Sequence, residues 1–178
     1  RKYKDIAPFT NDLYIKLKLA TFWIFNIVDP TNGNVPNIGA NDGARLLPLN
    51  SSDVRDFRSS VQLAAALFLK KNAFGPGAWS LPLKFFGVIE NNLRLKPKSL
   101  SNDSGGLHVM KRNSSMVVMR YPRFRFRPSH ADILHIDFWH KGRNLLRDSG
   151  SYSYNSVNTF WFSGTSAHNT IIFDNRDQ

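Results

Sequence analysis

The sequence predicts an α+β, multidomain chain, helices first and an incomplete antiparallel β-sandwich after them. Three observations carry this. Apolar residues recur at helical spacing up to about residue 95, and from about residue 105 the chain breaks into short runs of β-branched and aromatic residues. Pro, Ser, Asn and Gly gather between the two, over 96–104. The expected division is a helical domain over 1–95, a linker over 96–104 and a sandwich domain over 105–178.

Taken in order, Thr10 or Asn11 caps a first helix in which Leu13, Leu17, Ala20, Ile24 and Ile27 form one apolar stripe, with Pro30 beyond its end. A second helix is expected from Asp53 to Leu69, where Val61, Ala64, Ala65 and Phe68 recur at helical spacing. Gly75, Pro76 and Gly77 then break the chain before WSLPLKFFGVI, read as one short helix. The strands expected are LHVMKR, SMVVMRYP, FRFRP, ILHIDFWH, NLLRD and NTIIFD, each bounded by turn-forming residues.

Composition narrows the function. With no cysteine the chain has no disulfide framework, no cysteine-zinc site and no thiol nucleophile. No apolar run is long enough to span a bilayer. The formal net charge of +11 attracts polyanions, either acidic polysaccharide or nucleic acid, and charge alone does not choose between them. No zinc-finger, helix-turn-helix or RNA-recognition pattern supports the nucleic acid, so the expectation is no nucleic-acid partner. The opening at Arg1 and the stop just after TIIFD lead us to expect an internal piece of a longer protein, whose partners include the missing parts of its own parent chain.

Between Asp103 and Asp132 no acidic residue occurs, while arginines accumulate. In a strand, Arg123, Arg125 and Arg127 fall on one face and Phe124 and Phe126 on the other. That strip is either a cationic surface for carboxylates and sulfates or a solvated face over an aromatic core. The stretch 36–45, with Asn41, Asp42 and Arg45, is a loop by its Gly and Asn-Asp-Gly chemistry, and is either structural or the border of a binding cleft.

In the last third, His130, Asp148 and His168 together make a divalent-metal set, because borderline metals accept nitrogen and oxygen ligands together. The three are dispersed, so only a fold could assemble them, and satisfied buried polar residues are the other reading. His135, Asp137 and His140 are polar positions in an otherwise apolar strand. Strand parity puts His135 and Asp137 on one face and His130 and Asp132 on the other, so at most one pair serves a metal.

The words around these residues resemble the C-terminal region of the heparinase II/III-like family of polysaccharide lyases. The matching positions are His130 and Asp132, then Gly142, Leu146, Asp148, Gly150, Tyr152 and Tyr154, then Ser166, His168, Asn169 and Thr170. VPNIGANDGARLLPL and DVRDFRSSVQLAAALFL similarly look like the end of that family's helical domain. The resemblance implies that 1–95 is the last part of an α/α toroid, that a structural zinc sits on His130, Asp148 and His168 with Asp132 behind it, and that Asn41, Asp42 and Arg45 meet substrate. It implies a bacterial lyase acting by β-elimination on uronic-acid-containing polysaccharide such as a glycosaminoglycan, and a periplasmic or extracellular setting; a cytoplasmic one fits the lack of cysteine as well. The family's principal catalytic Asn and Tyr lie upstream of Arg1 and are assigned to no residue here. Pro128-Ser129-His130 replaces the usual His-x-His, removing the imidazole expected to face substrate. A noncatalytic protein that binds acidic glycan or handles exopolysaccharide is the alternative, and a basic nucleic-acid-binding protein the weaker one.

Overall fold

Thr10 begins the first helix by accepting the Leu13 N–H on its hydroxyl at 3.4 Å, and α1 runs Asn11–Ile27. The computed structural model describes residues 9–38, 50–122, 129–153 and 155–178. Only the last turns of the α1 stripe are covered: Phe25 and Ile27 are buried, whereas Leu13 is 39% and Leu19 64% exposed. Asn26, fully buried in the same turn, donates to Phe22 O at 2.8 Å and accepts the Lys98 N–H at 2.8 Å.

The second helix starts at Arg58 rather than Asp53. As α2 it spans Arg58–Ala64, continues as a wider π turn over Ala65–Leu69, and stops where Lys70 takes a φ of 53°. Buried Gln62 accepts the N–H groups of Ala73 and Phe74 on one oxygen, both at 2.9 Å, and so satisfies a turn that no strand or helix serves. The short helix α3 covers Leu81–Phe85 after a 3-10 turn at Ala78–Ser80. Phe25, Val28, Val61, Ala65, Ala73 and Phe74 form the helical core, with Trp79 edge-on to Phe74.

The second half is a single antiparallel sheet in chain order: β1 (Leu100–Asn102), β2 (Leu107–Arg112), β3 (Ser115–Arg120), β4 (Ile136–His140) and β5 (Arg143–Leu146). Leu107, Val109, Met116, Val118 and Trp139 share one face and bury it against Ile27. Thus the last turn of α1 feeds both cores. The other face carries Met110, Val117, Met119, Ile136, Phe138 and Leu146, with Met110 49% and Leu146 44% exposed. The molecule is therefore α+β, with one sheet among the described residues.

Several expectations change. β1 forms inside 96–104, paired along its length with β2. β4 begins at Ile136, not Ile133, because Leu134 has a φ of 61° and turns the chain before the sheet. TIIFD is no strand: Ile171, Ile172 and Phe173 are exposed, and only an isolated bridge joins Phe173 to Arg176. A strand is held by a partner's ladder, and these apolar residues meet none among the described residues. A short helix instead, α4 (Thr159–Ser163), precedes a 3-10 turn at Thr165–Ala167. FRFRP lies outside the described residues. Among those described, no helix is long and apolar enough to cross a membrane.

Candidate metal centre

Three separate segments meet below the start of β4. The first, 129–135, reaches the sheet through the Leu134 turn, in which Leu134 N donates to Arg120 O at 2.7 Å and His135 N to Asp132 O at 3.1 Å. A residue that is not glycine costs about 1–2 kcal/mol in this left-handed conformation. Its effect is to cancel strand parity, so that His130 and Asp132 turn inward as well as His135 and Asp137. The second segment leaves β5 through Asp148-Ser149-Gly150; Gly150, at φ 77°, donates its N–H to Asp148 Oδ1 at 2.7 Å. The third follows α4, where Ser163 O accepts the Ala131 N–H at 2.7 Å, and brings in His168.

His130, Asp132, Asp148 and His168 are all buried, and one donor atom from each lies within 4.8 Å of the others. His130 Nδ1 is 3.2 Å from His168 Nε2, and His168 Nε2 is 3.3 Å from Asp148 Oδ2. The other nitrogen of His168 donates to Gly164 O at 2.7 Å, which turns Nε2 toward the centre of the group. Ser151 Oγ stands 3.3 Å from His130 Nε2, so that Nδ1 is the His130 atom left for the cluster. Among the described residues, Asp148 Oδ2 accepts no well-directed hydrogen bond despite its contact with His168, and Asp132 Oδ1 accepts none at all. The second Asp132 oxygen pairs with Arg120.

This donor set fits a metal. Ligands about 2.0–2.1 Å from a tetrahedral ion lie roughly 3.4 Å from each other, close to the 3.2 and 3.3 Å separations here. Buried lone pairs facing one another need a proton or a cation between them. With a proton there, burial opposes charge on His168, yet Asp148 and the Gly164 carbonyl raise it above the ordinary imidazole value. Burial likewise opposes charge on Asp148, but His168 and the Gly150 N–H hold its carboxyl below the usual range. Burial pushes His130 down, against the pull of Asp148. The buried His/Asp cluster can hold a metal ion.

His135 and Asp137 are not part of it. His135 Nδ1 accepts the Asn169 N–H at 3.1 Å, leaving its Nε2–H for Asp137 Oδ2 at 3.1 Å, while Asn144 donates to Asp137 Oδ1 at 2.8 Å. His140 is exposed on the hairpin end, beside Ser115 Oγ at 2.9 Å.

Residues 94–178 match the family model described as Heparinase II/III-like, C-terminal. The matched stretch, just under half of the chain, contains the sheet from β1 onward and the whole His/Asp cluster, and is similar to that family's C-terminal domain. Solved structures extend the likeness of fold to the helices. A heparinase III, the BT4657 gene product, superposes with a TM-score of 0.66 at 20% identity over 95% of this chain and 25% of its own. Another heparinase III gives 0.66 at 14% identity over 94% and 27%. The heparan sulfate lyase HepC from Pedobacter heparinus gives 0.63 at 16% identity over 95% and 25%. The chain thus spans about a quarter of the length of these solved structures. No curated protein matches it in sequence.

The structure brings His130, Asp148 and His168 together. Asn41, Asp42, Arg45, Arg123, Arg125, Arg127 and Pro128 lie outside the described residues. Sequence reasoning placed Asp132 behind the ligands, whereas its free oxygen belongs to the same cluster as theirs. It counted Arg120 only among the accumulating arginines and singled out neither Ser151 nor Gly164. The signal available was the tight spacing around His168: Asn169 also donates its side-chain amide to Ile136 O at 3.2 Å and Arg147 O at 3.1 Å, and Thr170 Oγ1 donates to Ile133 O. The Asn-Thr pair after His168 is thus a clamp.

Proposed function

We propose that this chain is part of a lyase that cleaves uronic-acid-containing polysaccharide by β-elimination, and that its His/Asp cluster holds a structural zinc. The observation that supports this most is the buried cluster itself, assembled from three segments inside the stretch that matches the family. A divalent ion on His130, Asp148 and His168 would supply a cross-link, since it joins the approach to β4, the exit from β5 and the segment after α4. Asp132, held by Arg120, lends negative charge to the same place. In this reading the helices before residue 95 end an α/α toroid and the sheet is one layer of a sandwich, with the substrate between them.

β-Elimination needs the uronate carboxylate neutralised, its C5 proton removed and the leaving oxygen protonated. The parts we assign to this chain are binding and orientation. Asn41, Asp42 and Arg45 border the cleft, and Arg123, Arg125 and Arg127 pair with carboxylates or sulfates of the polymer. The proton-transfer residues are assigned upstream of Arg1. Heparan sulfate, the substrate class named for one structural neighbour, is the first polymer to try.

A second reading, a noncatalytic glycan-binding protein, is favoured by Pro128-Ser129-His130, which offers no imidazole where the family usually has one. Incubating the full-length parent with heparan sulfate and other uronate polymers separates the two. The lyase reading expects unsaturated uronate ends; salt-sensitive binding without product supports the second. Replacing Arg123, Arg125 and Arg127 together is expected to reduce binding and its salt slope.

A further inference from the structure

A second hollow lies at the opposite end of the β4–β5 hairpin from the His/Asp cluster. There the β2–β3 turn and the β4–β5 turn sit side by side, Lys141 N donating to Ser114 O at 2.9 Å. The turn after α1 closes the third side, with Asn32 Nδ2 donating to Gly142 O at 2.6 Å. Together they line a cavity of about 470 Å³, a size typical of small-ligand sites.

The walls carry three donors that have no protein acceptor among the described residues. Lys111 and Lys141 both line the cavity, and among the described residues neither ammonium has a hydrogen-bond or ion-pair partner. Trp139, 4% exposed, lines it too, and its indole N–H has no acceptor among the described residues. Natural interiors leave very few such groups unpaired. The one carboxylate present, Asp29, is already engaged, accepting the Thr31 and Asn32 N–H groups on Oδ1 at 2.9 and 3.2 Å. Burial pulls Lys111 down to about 8, only partly offset by Asp29, so its ammonium is short of both water and a counter-charge. Two cations against one carboxylate leave a single positive charge, which suits a monoanion. The neutral indole N–H and the Ser114 hydroxyl suit the hydroxyl and ring oxygens of a sugar.

We propose that this cavity binds one hexuronate residue, its carboxylate on Lys111 and Lys141, at a site separate from the His/Asp cluster. The choice of a sugar acid over other monoanions rests on the lyase reading above. The site differs from that reading in its residues, so the two can fail separately.

The test is calorimetric titration of the full-length parent with glucuronate, glucose and acetate. Wild type is expected to bind glucuronate. Lys111→Met should lose roughly tenfold or more, as when a charged hydrogen bond is removed, and Lys111→Arg should keep most of the affinity. Glucose and acetate should bind at least roughly tenfold more weakly than glucuronate. Because Lys111→Met removes a buried charge, it is expected to fold; Lys141→Met, on the exposed turn, is a second variant with the same expected loss. Glucuronate affinity unchanged in both Met variants, or acetate binding as well as glucuronate, would each overturn the proposal. Lys111-dependent binding in a parent that yields no unsaturated product sinks the lyase reading and leaves the site standing. Product without such binding does the reverse.

Discussion

Two histidine–aspartate groups lie against each other beneath the start of β4, with the rings of His135 and His168 edge to face at 5.5 Å. Both are buried and both are drawn from the same residue types. Around His135 the accounts close: both its nitrogens and both Asp137 oxygens have partners with a definite donor and acceptor. Around His168 they do not, for two imidazole nitrogens face each other and two carboxylate oxygens accept no well-directed bond. Burial and residue identity are therefore poor guides to a metal site. Lone pairs left over after the protein has satisfied itself are a better one.

The sharpest way to break this contrast is to remove one ligand. In the full-length parent, His168→Ala is expected to lower bound metal from about one equivalent to none and to abolish metal-linked stability, about 4 kcal/mol with free metal at a thousand times Kd. Elemental analysis and thermal melts check both; stoichiometric zinc in that variant would reject the assignment. His135→Ala should cost about 3 kcal/mol in urea unfolding, because it strands buried Asp137, while metal stays bound. Loss of metal in that variant would show that the two groups act as one.

Proton linkage gives a smaller effect. The depressed Asp148 carboxyl contributes stability above the ordinary carboxylate value and loses it as pH falls through its folded value. The raised His168 contributes below the ordinary imidazole value, about 6.5, and loses it as pH rises through its folded value. Lowered His130 acts in the opposite sense, gaining as pH rises. Without metal the Asp148–His168 pair is therefore most useful at mildly acidic pH, between about 4 and 6.5. Metal needs the imidazoles neutral. The stability gap between loaded and chelated protein should widen from pH 6 to 8, by at most about 1.4 kcal/mol per pH unit for each proton displaced. A gap that is flat across that range counts against imidazole ligation. Smallest of all, His140→Ala should change stability by less than about 0.5 kcal/mol and leave metal content alone.

How far these groups could be read in advance depends on what fixes them. His130, Asp148 and His168 could be singled out because each sits in a short word with its own turn chemistry, such as Asp148-Ser149-Gly150. Strands β2 and β3 were legible because a two-residue turn joins two runs rich in Val and Met. The relation of His130 to His135 was not, since strand parity assumes regular backbone and Leu134 breaks it with a conformation that nothing in leucine advertises. TIIFD failed for another reason: β-branched residues say that a segment suits a sheet, and are silent on whether a neighbour is there to pair with. The α1 stripe likewise announces a face to be covered, yet the described residues cover only its last turns.

That last turn carries more than packing. Phe25 and Val28 enter the helical core, Ile27 enters the sheet core, and Asn26 between them is bonded to the backbone of Lys98. Four consecutive residues are thus committed to both halves of the molecule, and neither core can come apart while the other keeps this turn in place. The helices and the sheet are expected to melt in one cooperative step, with the most slowly exchanging amides of both gathered around residues 25–28.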